Sequence, residues 1–512
     1  MGEPPRRSLR HLAGAAKAQY GLTVEELPVE ELPVEGIPQT RTEAIEADRL
    51  DPLASYRDEF VVSPAGPIYL DGNSLGRRPR ATAPAVARLL DEWGRDLVGG
   101  WDRWADLPVT VGDRIGQLIG AAPGQVVVSD STTVNLYKLA MAAVDAKADR
   151  TVIVGDAEDF PTVRYVLQGI AAERGRRLRL VATDAVEGIT ASPLPATGPA
   201  RGPVPPAGAE DFFEAIIGRA DHADGAHGPD HTDGADHADH TDGADHGDHA
   251  DHADHADHAV GDIALVCLSA VNYRSGAVAD LTSVTDAAHR AGALVLWDLS
   301  HAAGAVPVDL DGSGVDLAVG CSYKYLNGGP GAPAWAYVRA GLQASLRQPV
   351  WGWWGQRDQF AMGAGYDPVP NIARFLSGTP DVLGTVAVDC GIAPLLAAGM
   401  PALWAKTRRL VALLARRTEQ LLVPLGARTA SPSDPGRRGG HLAISHPDAY
   451  NAARLLIERG LVVPDFRAPD VLRLAPVALY TGFVDVWDAT EHVASVLTDP
   501  AVHLAVPRKR VT

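Results

Sequence analysis

The chain has 512 residues, enough for two or more domains around a large core, and a formal charge of -18. Much of that charge lies in one tract, Asp221 to His258, whose twelve Asp and ten His stand without a Lys or Arg; without it about -6 remains, which is ordinary for a soluble enzyme and unfavourable to nucleic acid binding. Three scattered cysteines, Cys267, Cys321 and Cys390, imply a reducing compartment with no disulfide framework and no CxxC metal site; with no long apolar run, the expected location is the cytoplasm and no membrane partner is expected.

Residues 1–45 carry proline-punctuated acidic repeats that bury little, so they are expected to be a disordered extension, with order beginning near Asp51. Ile68-Tyr69-Leu70-Asp71-Gly72-Asn73-Ser74-Leu75-Gly76 reads as a short strand entering a polar, glycine-bounded turn. A helix is expected over Pro84–Trp93, followed by the close tryptophans Trp93, Trp101 and Trp104. The run Val126-Val127-Val128 then stops in Ser129-Asp130-Ser131-Thr132-Thr133 and passes into a helical pattern. Free amides, threonine hydroxyls and a positive helix end at one spot suit a phosphate; a plain N-cap is the simpler use of the same residues.

Strand, loop and helix continue to alternate through Thr151–Val154, Phe160-Pro161-Thr162 and Leu178–Ala182, the spacing of a mostly parallel sheet whose functional loops follow the strand C-termini. Phe160 at such an end could stack on a ring or fill core. A helix is expected over Glu210–Arg219. The Asp/His tract then reads as a disordered insertion, 221–259, able to hold transition metals loosely but without fixed geometry.

After the buried strand Ile263–Ser269 and a helix over Ser283–Ala291 comes Leu294-Val295-Leu296-Trp297-Asp298-Leu299-Ser300-His301. A carboxylate ending an apolar strand needs a partner. A pyridinium N–H would serve for Asp298, as would a helix cap or a buried salt bridge. Lys324, one of six lysines, stands in Ser322-Tyr323-Lys324-Tyr325-Leu326-Asn327-Gly328-Gly329, where a strand is expected to end. Desolvated there, it could form a Schiff base or, more simply, snorkel to water. Trp351-Gly352-Trp353-Trp354-Gly355-Gln356 and Ser377-Gly378-Thr379 form loops, and helices over Ala387–Ala398 and Leu403–Leu422 open a smaller α+β domain. Within it Arg437-Arg438-Gly439-Gly440-His441 offers a carboxylate clamp or a solvated basic turn, and Arg473, Pro476 and Tyr480 lie in a later strand and turn.

Taken together and in this order, the motifs around Ser74, Thr132-Thr133-Val134-Asn135-Leu136, Phe160-Pro161-Thr162, Asp298, Lys324, Gly352-Trp353-Trp354-Gly355 and Ala475–Tyr480 resemble pyridoxal-phosphate enzymes of the aspartate aminotransferase fold, and among them the kynureninases, over residues 50–500. The resemblance implies an α/β fold of type I with a disordered extension 1–45, an N-terminal arm 46–80 packing on the small domain, a large cofactor domain 81–355 interrupted at 221–259, and a small domain 356–512. It also implies pyridoxal 5'-phosphate on Lys324 as a Schiff base, Asp298 on the pyridine nitrogen, His301 beside the ring and Phe160 on its face. Thr132, Thr133, Thr162, Ser269 and Tyr323 would complete the ring and phosphate contacts, with Tyr323 and Asp298 joining Lys324 in catalysis. Trp353 and Thr379 would come from the neighbouring subunit of a homodimer with its active site at the interface. Ser74 and Arg438 would contact a small amino acid substrate, Arg438 through the α-carboxylate. The implied reaction is hydrolytic cleavage of the Cβ–Cγ bond of L-kynurenine or 3-hydroxykynurenine in tryptophan catabolism.

Three residues depart from the family pattern. Val163 stands where aspartate is usual, so a polar contact near the cofactor is expected to be missing or supplied by backbone; Gln356 replaces a frequent histidine, and Thr379 an asparagine found in some members. Two other readings compete. A cysteine desulfurase or selenocysteine lyase of the same fold would need a mobile cysteine, whereas Cys321 is expected within a strand and Cys267 and Cys390 in apolar runs. A metal-buffering protein would work through the Asp/His tract and leave Lys324, Asp298 and Arg438 idle.

Overall fold

The computed structural model describes residues 36–63, 66–189 and 262–504. The N-terminal repeats, the expected helix 210–219 and the Asp/His tract lie outside the described residues. Pro38–Thr512 form one compact unit; of the other, Met1–Ile37, only Gly36 and Ile37 are described.

The strands in chain order are β1 (Ile68–Tyr69), β2 (Val126–Val128), β3 (Val152–Asp156), β4 (Arg177–Val181), β5 (Ile263–Ser269), β6 (Leu294–Asp298), β7 (Leu317–Gly320), β8 (Trp335–Val338), β9 (Arg428–Thr429), β10 (Leu442–Ser445), β11 (Val462–Val463), β12 (Asp465–Arg467) and β13 (Val471–Leu474). Seven of them form the main sheet in the order β2-β8-β7-β6-β5-β3-β4. Its pairs from β7 through β4 are parallel, while β8 runs antiparallel to both β7 and β2.

The apolar runs of β5 and β6 follow from burial on both faces of this sheet. Val266 and Leu268 of β5 pack with Val111, Ile115, Val284 and Val388, from helices Leu107–Leu118, Leu281–Arg290 and Val382–Ala398. Leu265 and Cys267 point the other way, toward Leu136, Leu139, Leu167 and Ile170 of helices Thr132–Ala146 and Pro161–Arg174. The alternation along one strand thus fills both layers. A second, antiparallel sheet, β12-β13-β10-β9, is joined by the parallel pair β1-β11, in which Ile68 registers with Val462.

Two expectations need correction. Order starts about ten residues before Asp51, with the helix Arg41–Arg49. Its Thr40 cap accepts the Glu43 amide at 3.2 Å, Arg41 pairs with Asp488 at 2.7 Å, and Asp48 accepts the amides of Phe483 and Val484 at 2.6 and 3.0 Å. The contacts of Arg41 and Asp48 are with the far end of the chain, invisible in local composition. Secondly, β7 ends at Gly320, so Cys321 lies just past the strand, and Lys324 in the connection to β8.

Candidate active site

Lys324 is placed by the reversal between β7 and β8. The Gly72–Gly76 turn docks on that connection: the Gly76 amide donates to the Tyr323 carbonyl at 2.8 Å, and a Cβ on Gly76 would come within 2.3 Å of the Lys324 carbonyl oxygen. Only glycine permits this approach. The Lys324 Nζ lies 3.5 and 3.4 Å from the two ring nitrogens of His301 and 5.9 Å from the centroid of the Tyr323 ring. Among the described residues it forms no ion pair. Desolvation lowers its pKa, and although Cys321 and Asp298 oppose this, Arg473 and Arg467 add to it.

His301 follows β6 in a buried turn. Burial holds its pKa far below the ordinary imidazole value, and the charge of Lys324 pushes the same way. An imidazole kept neutral in this way can accept a hydrogen bond from the Lys324 Nζ but resists taking its proton. Asp298 ends β6 in register with Ser269 of β5 and Val319 of β7. It is buried, accepts the Ser300 amide at 2.8 Å, and forms no ion pair among the described residues. Burial, and after it the neighbouring Cys321 and Asp298, raise the Tyr323 phenol, so it keeps its proton as a donor.

Other expected site residues join through intermediaries. Ser269 donates to Asp159 at 2.5 Å. Phe160, its ring half-exposed, meets Tyr273 edge-on with centroids 5.3 Å apart. The Tyr273 carbonyl accepts from Arg473, whose Nη2 reaches the Ser74 hydroxyl at 3.4 Å. At the sheet end, Thr132 and Thr133 open the helix Thr132–Ala146 after Asp130, which takes the left-handed φ of 50°. Ser131 caps that helix by accepting the Val134 amide at 3.3 Å. The plain cap and the candidate anion site therefore coexist, because capping uses the third amide and leaves those of Thr132 and Thr133 in the first turn. Thr162 stands in the first turn of Pro161–Arg174.

Three expected residues stand apart from this cluster. The Arg438 guanidinium donates to the carbonyls of Pro432 and Ser433, at 2.6 and 3.1 Å. Trp353 packs on Trp354 and Phe360, and Thr379 is exposed on a turn. These last two share one surface, since a Cβ on Gly352 would collide with the Ser377 carbonyl oxygen at 2.0 Å. Gln356 lies beyond that loop, its amide nitrogen 3.4 Å from the Gly365 carbonyl.

Sequence reasoning missed Arg473, Asp159 and His441 as site residues. Arg473 is fully buried and paired with Asp465, and it acts electrostatically on Lys324, His301 and His441. The argument applied to Asp298 would have found it, because Val471-Leu472-Arg473-Leu474 places a charge inside an apolar strand. His441 is buried with its ring centroid 6.0 Å from that of His301 and its Nδ1 without a partner among the described residues.

Comparison with known proteins fits this geometry. A family model described as the kynureninase C-terminal domain matches residues 403–493. A kynureninase of Burkholderia pseudomallei is 37% identical over 470 residues, covering 90% of this chain and 97% of the relative. The chain belongs to the kynureninase family. A second kynureninase, from Pseudomonas fluorescens, is 35% identical over 467 residues, 90% of this chain and 95% of its own length. Among solved structures, a cysteine desulfurase from Thermococcus onnurineus superposes with a TM-score of 0.64 at 14% identity, covering 86% of this chain and 97% of its own. One from Escherichia coli gives 0.64 at 16%, covering 88% and 99%. At such identities the likeness is one of fold, and it confirms the type I architecture expected for this kynureninase-family chain. Burial raises the thiols of Cys267, Cys321 and Cys390, which disfavours the thiolate that a mobile catalytic cysteine needs.

Proposed function

We propose that the protein is a pyridoxal-phosphate-dependent hydrolase that cleaves the Cβ–Cγ bond of L-kynurenine or 3-hydroxykynurenine, releasing L-alanine and anthranilate or 3-hydroxyanthranilate. The observation that carries this reading is Lys324, desolvated and without a carboxylate partner beside neutral His301, with unpaired Asp298 on the neighbouring strand end, in a chain of this family. The residues fit the cofactor. An unpaired buried carboxylate at Asp298 suits a pyridine N–H, and the free first-turn amides at Thr132 and Thr133 suit a phosphate.

When bound, the cofactor supplies an electron sink for negative charge at the substrate Cα. Lys324 would hold it covalently and would move protons at Nζ, its lowered pKa favouring the neutral amine that this requires. Asp298 would keep the ring nitrogen protonated, Phe160, Thr162, Ser269 and His301 would hold the ring, and Tyr323 would donate from its phenol. Ser74 and Arg438 take the substrate, Arg438 binding the α-carboxylate after exchanging its bonds to Pro432 and Ser433. Arg473 fixes the Ser74 hydroxyl from below. Hydrolysis also requires water at the γ-carbonyl.

We further infer a cytoplasmic homodimer built from an arm 46–80, a large domain 81–355 and a small domain 356–512. Trp353 and Thr379 then serve the partner's site, which accounts for their exposure and their distance from the Lys324 cluster. Purified protein is expected to absorb in the visible, and Lys324→Ala to lose that band. Incubation with L-kynurenine should yield fluorescent anthranilate. A visible band without anthranilate would sink the substrate assignment and leave the cofactor assignment standing.

A further inference from the structure

Asp159 has no place in the mechanism above, yet it is among the most constrained side chains near the site. It precedes Phe160 in the turn between β3 and the helix Pro161–Arg174, and is 3% exposed. Its Oδ1 accepts the Phe160 amide at 2.6 Å and the Ser269 hydroxyl at 2.5 Å. Its Oδ2 is buried with no hydrogen-bond partner among the described residues. An orphaned carboxyl oxygen in the interior is costly and calls for a partner that the described residues do not supply.

The surroundings decide which kind of partner. After burial, the largest influence on Asp159 is a further carboxyl group, Asp156 at the end of β3; Asp298 at the end of β6 pushes the same way, the hydrogen bonds from Ser269 and Phe160 oppose, and Asp159 forms no ion pair among the described residues. Together these push its pKa up to about 8, so the group carries a proton at neutral pH. Since Oδ1 already accepts two hydrogen bonds, the proton belongs on Oδ2, which is then a donor without an acceptor.

We propose that Asp159 is a second carboxyl group of the cofactor site, whose Oδ2 donates a hydrogen bond to an oxygen of the bound pyridoxal ring while Oδ1 fixes the Ser269 hydroxyl. This rests on the cofactor reading above. It also resolves the departure at Val163. That residue, one helical turn later, is buried among Leu167 and Ile170, so the polar contact comes from a side chain four residues earlier and not from backbone.

The test is titration of cofactor-stripped protein with pyridoxal phosphate, followed by visible absorbance and tryptophan fluorescence. Asp159→Asn keeps a donor at the Oδ2 position and should bind within about twofold of wild type with an unchanged band. Asp159→Leu should bind about tenfold more weakly, the ~1.4 kcal/mol expected of one lost hydrogen bond, and should shift the band. Ser269→Ala, which frees Oδ1, should fall between the two, and Asp159→Ala replaces the leucine variant if that one does not fold. Wild-type affinity and band in the Leu or Ala variant, even with a lowered melting temperature, would reduce Asp159 to a core residue and overturn the proposal. An Asn variant as weak as Leu would overturn the donor assignment. A wild-type protein that binds no pyridoxal phosphate would count against the cofactor reading itself, a result distinguishable from either.

Discussion

At the scale of single residues the site is a set of buried ionisable groups, each held away from its charged form. His441 is held at about 3 by burial and by the charge of Arg473, and His301 is lowered by burial and Lys324. Asp159 and Asp71 are raised to about 8 and about 7, chiefly by burial. The two classes act on stability in opposite pH windows. For the histidines the unfolded chain binds protons that the native state refuses, so stability present above the ordinary imidazole pKa is lost as pH falls toward the folded value. For the two aspartates the native state keeps protons that the unfolded chain has released, so stability present below the ordinary carboxyl pKa is lost as pH rises through about 7 and 8. Asp159→Asn should remove one share of the alkaline loss. Urea titrations of cofactor-free protein at pH 5 and pH 8 should therefore show the variant gaining on wild type by roughly 2–4 kcal/mol between the two, given ~1.4 kcal/mol per shifted pKa unit. An equal difference at both values would mean that Asp159 is ionised throughout.

At the scale of elements, what the sequence revealed and what it hid divide by the range of the interaction. Ile263–Ser269 and Leu294–Asp298 are found where their apolar runs put them, because burial on both faces writes itself into consecutive residues. Lys324, Asp298 and Phe160 were legible for a related reason: each interrupts or follows such a run at the sheet's C-terminal edge. Arg473 interrupts the apolar run Val471–Leu474 and could have been read in the same way, but its partners Asp465 and Ser74, like Ser269 and Asp298 around Asp159, come together only through strand order. The helix Arg41–Arg49 was missed in the same way. Its own sequence is polar, and it is held by Asp48 capping the helix Phe483–Leu497, whose Gly482 offers no side chain for the purpose. Asp48→Ala should cost about 0.5–2 kcal/mol, the usual worth of an N-cap. A thermal melt unchanged from wild type would show that water replaces the cap.

At the scale of the whole molecule, the unexplained surface is apolar. Leu90, Trp93, Leu97, Val98 and Leu383 are exposed, Val98 at 81%, and together with Leu89, Trp101, Trp104 and Val382 they line a groove of about 410 Å³. Trp101 also meets Trp354 with ring centroids 5.3 Å apart, and Trp354 meets Trp353 at 4.9 Å, so the groove runs into the loop that carries Trp353. A contiguous apolar face of this kind marks an interaction site. We propose that this groove forms part of the interface of the homodimer, which would then be continuous with Trp353 and Thr379. Association and cofactor retention would in that case be coupled, and one substitution should disturb both. Trp93→Glu places a charge in the groove, far in sequence from Lys324. Its dimer dissociation constant, measured by sedimentation, should rise at least tenfold, or ~1.4 kcal/mol. Pyridoxal phosphate should be lost in parallel as the protein is diluted, because each monomer then lacks Trp353 and Thr379 of its partner. A variant that sediments as a monomer yet keeps its visible band on dilution would separate the two properties and make each chain's site complete in itself.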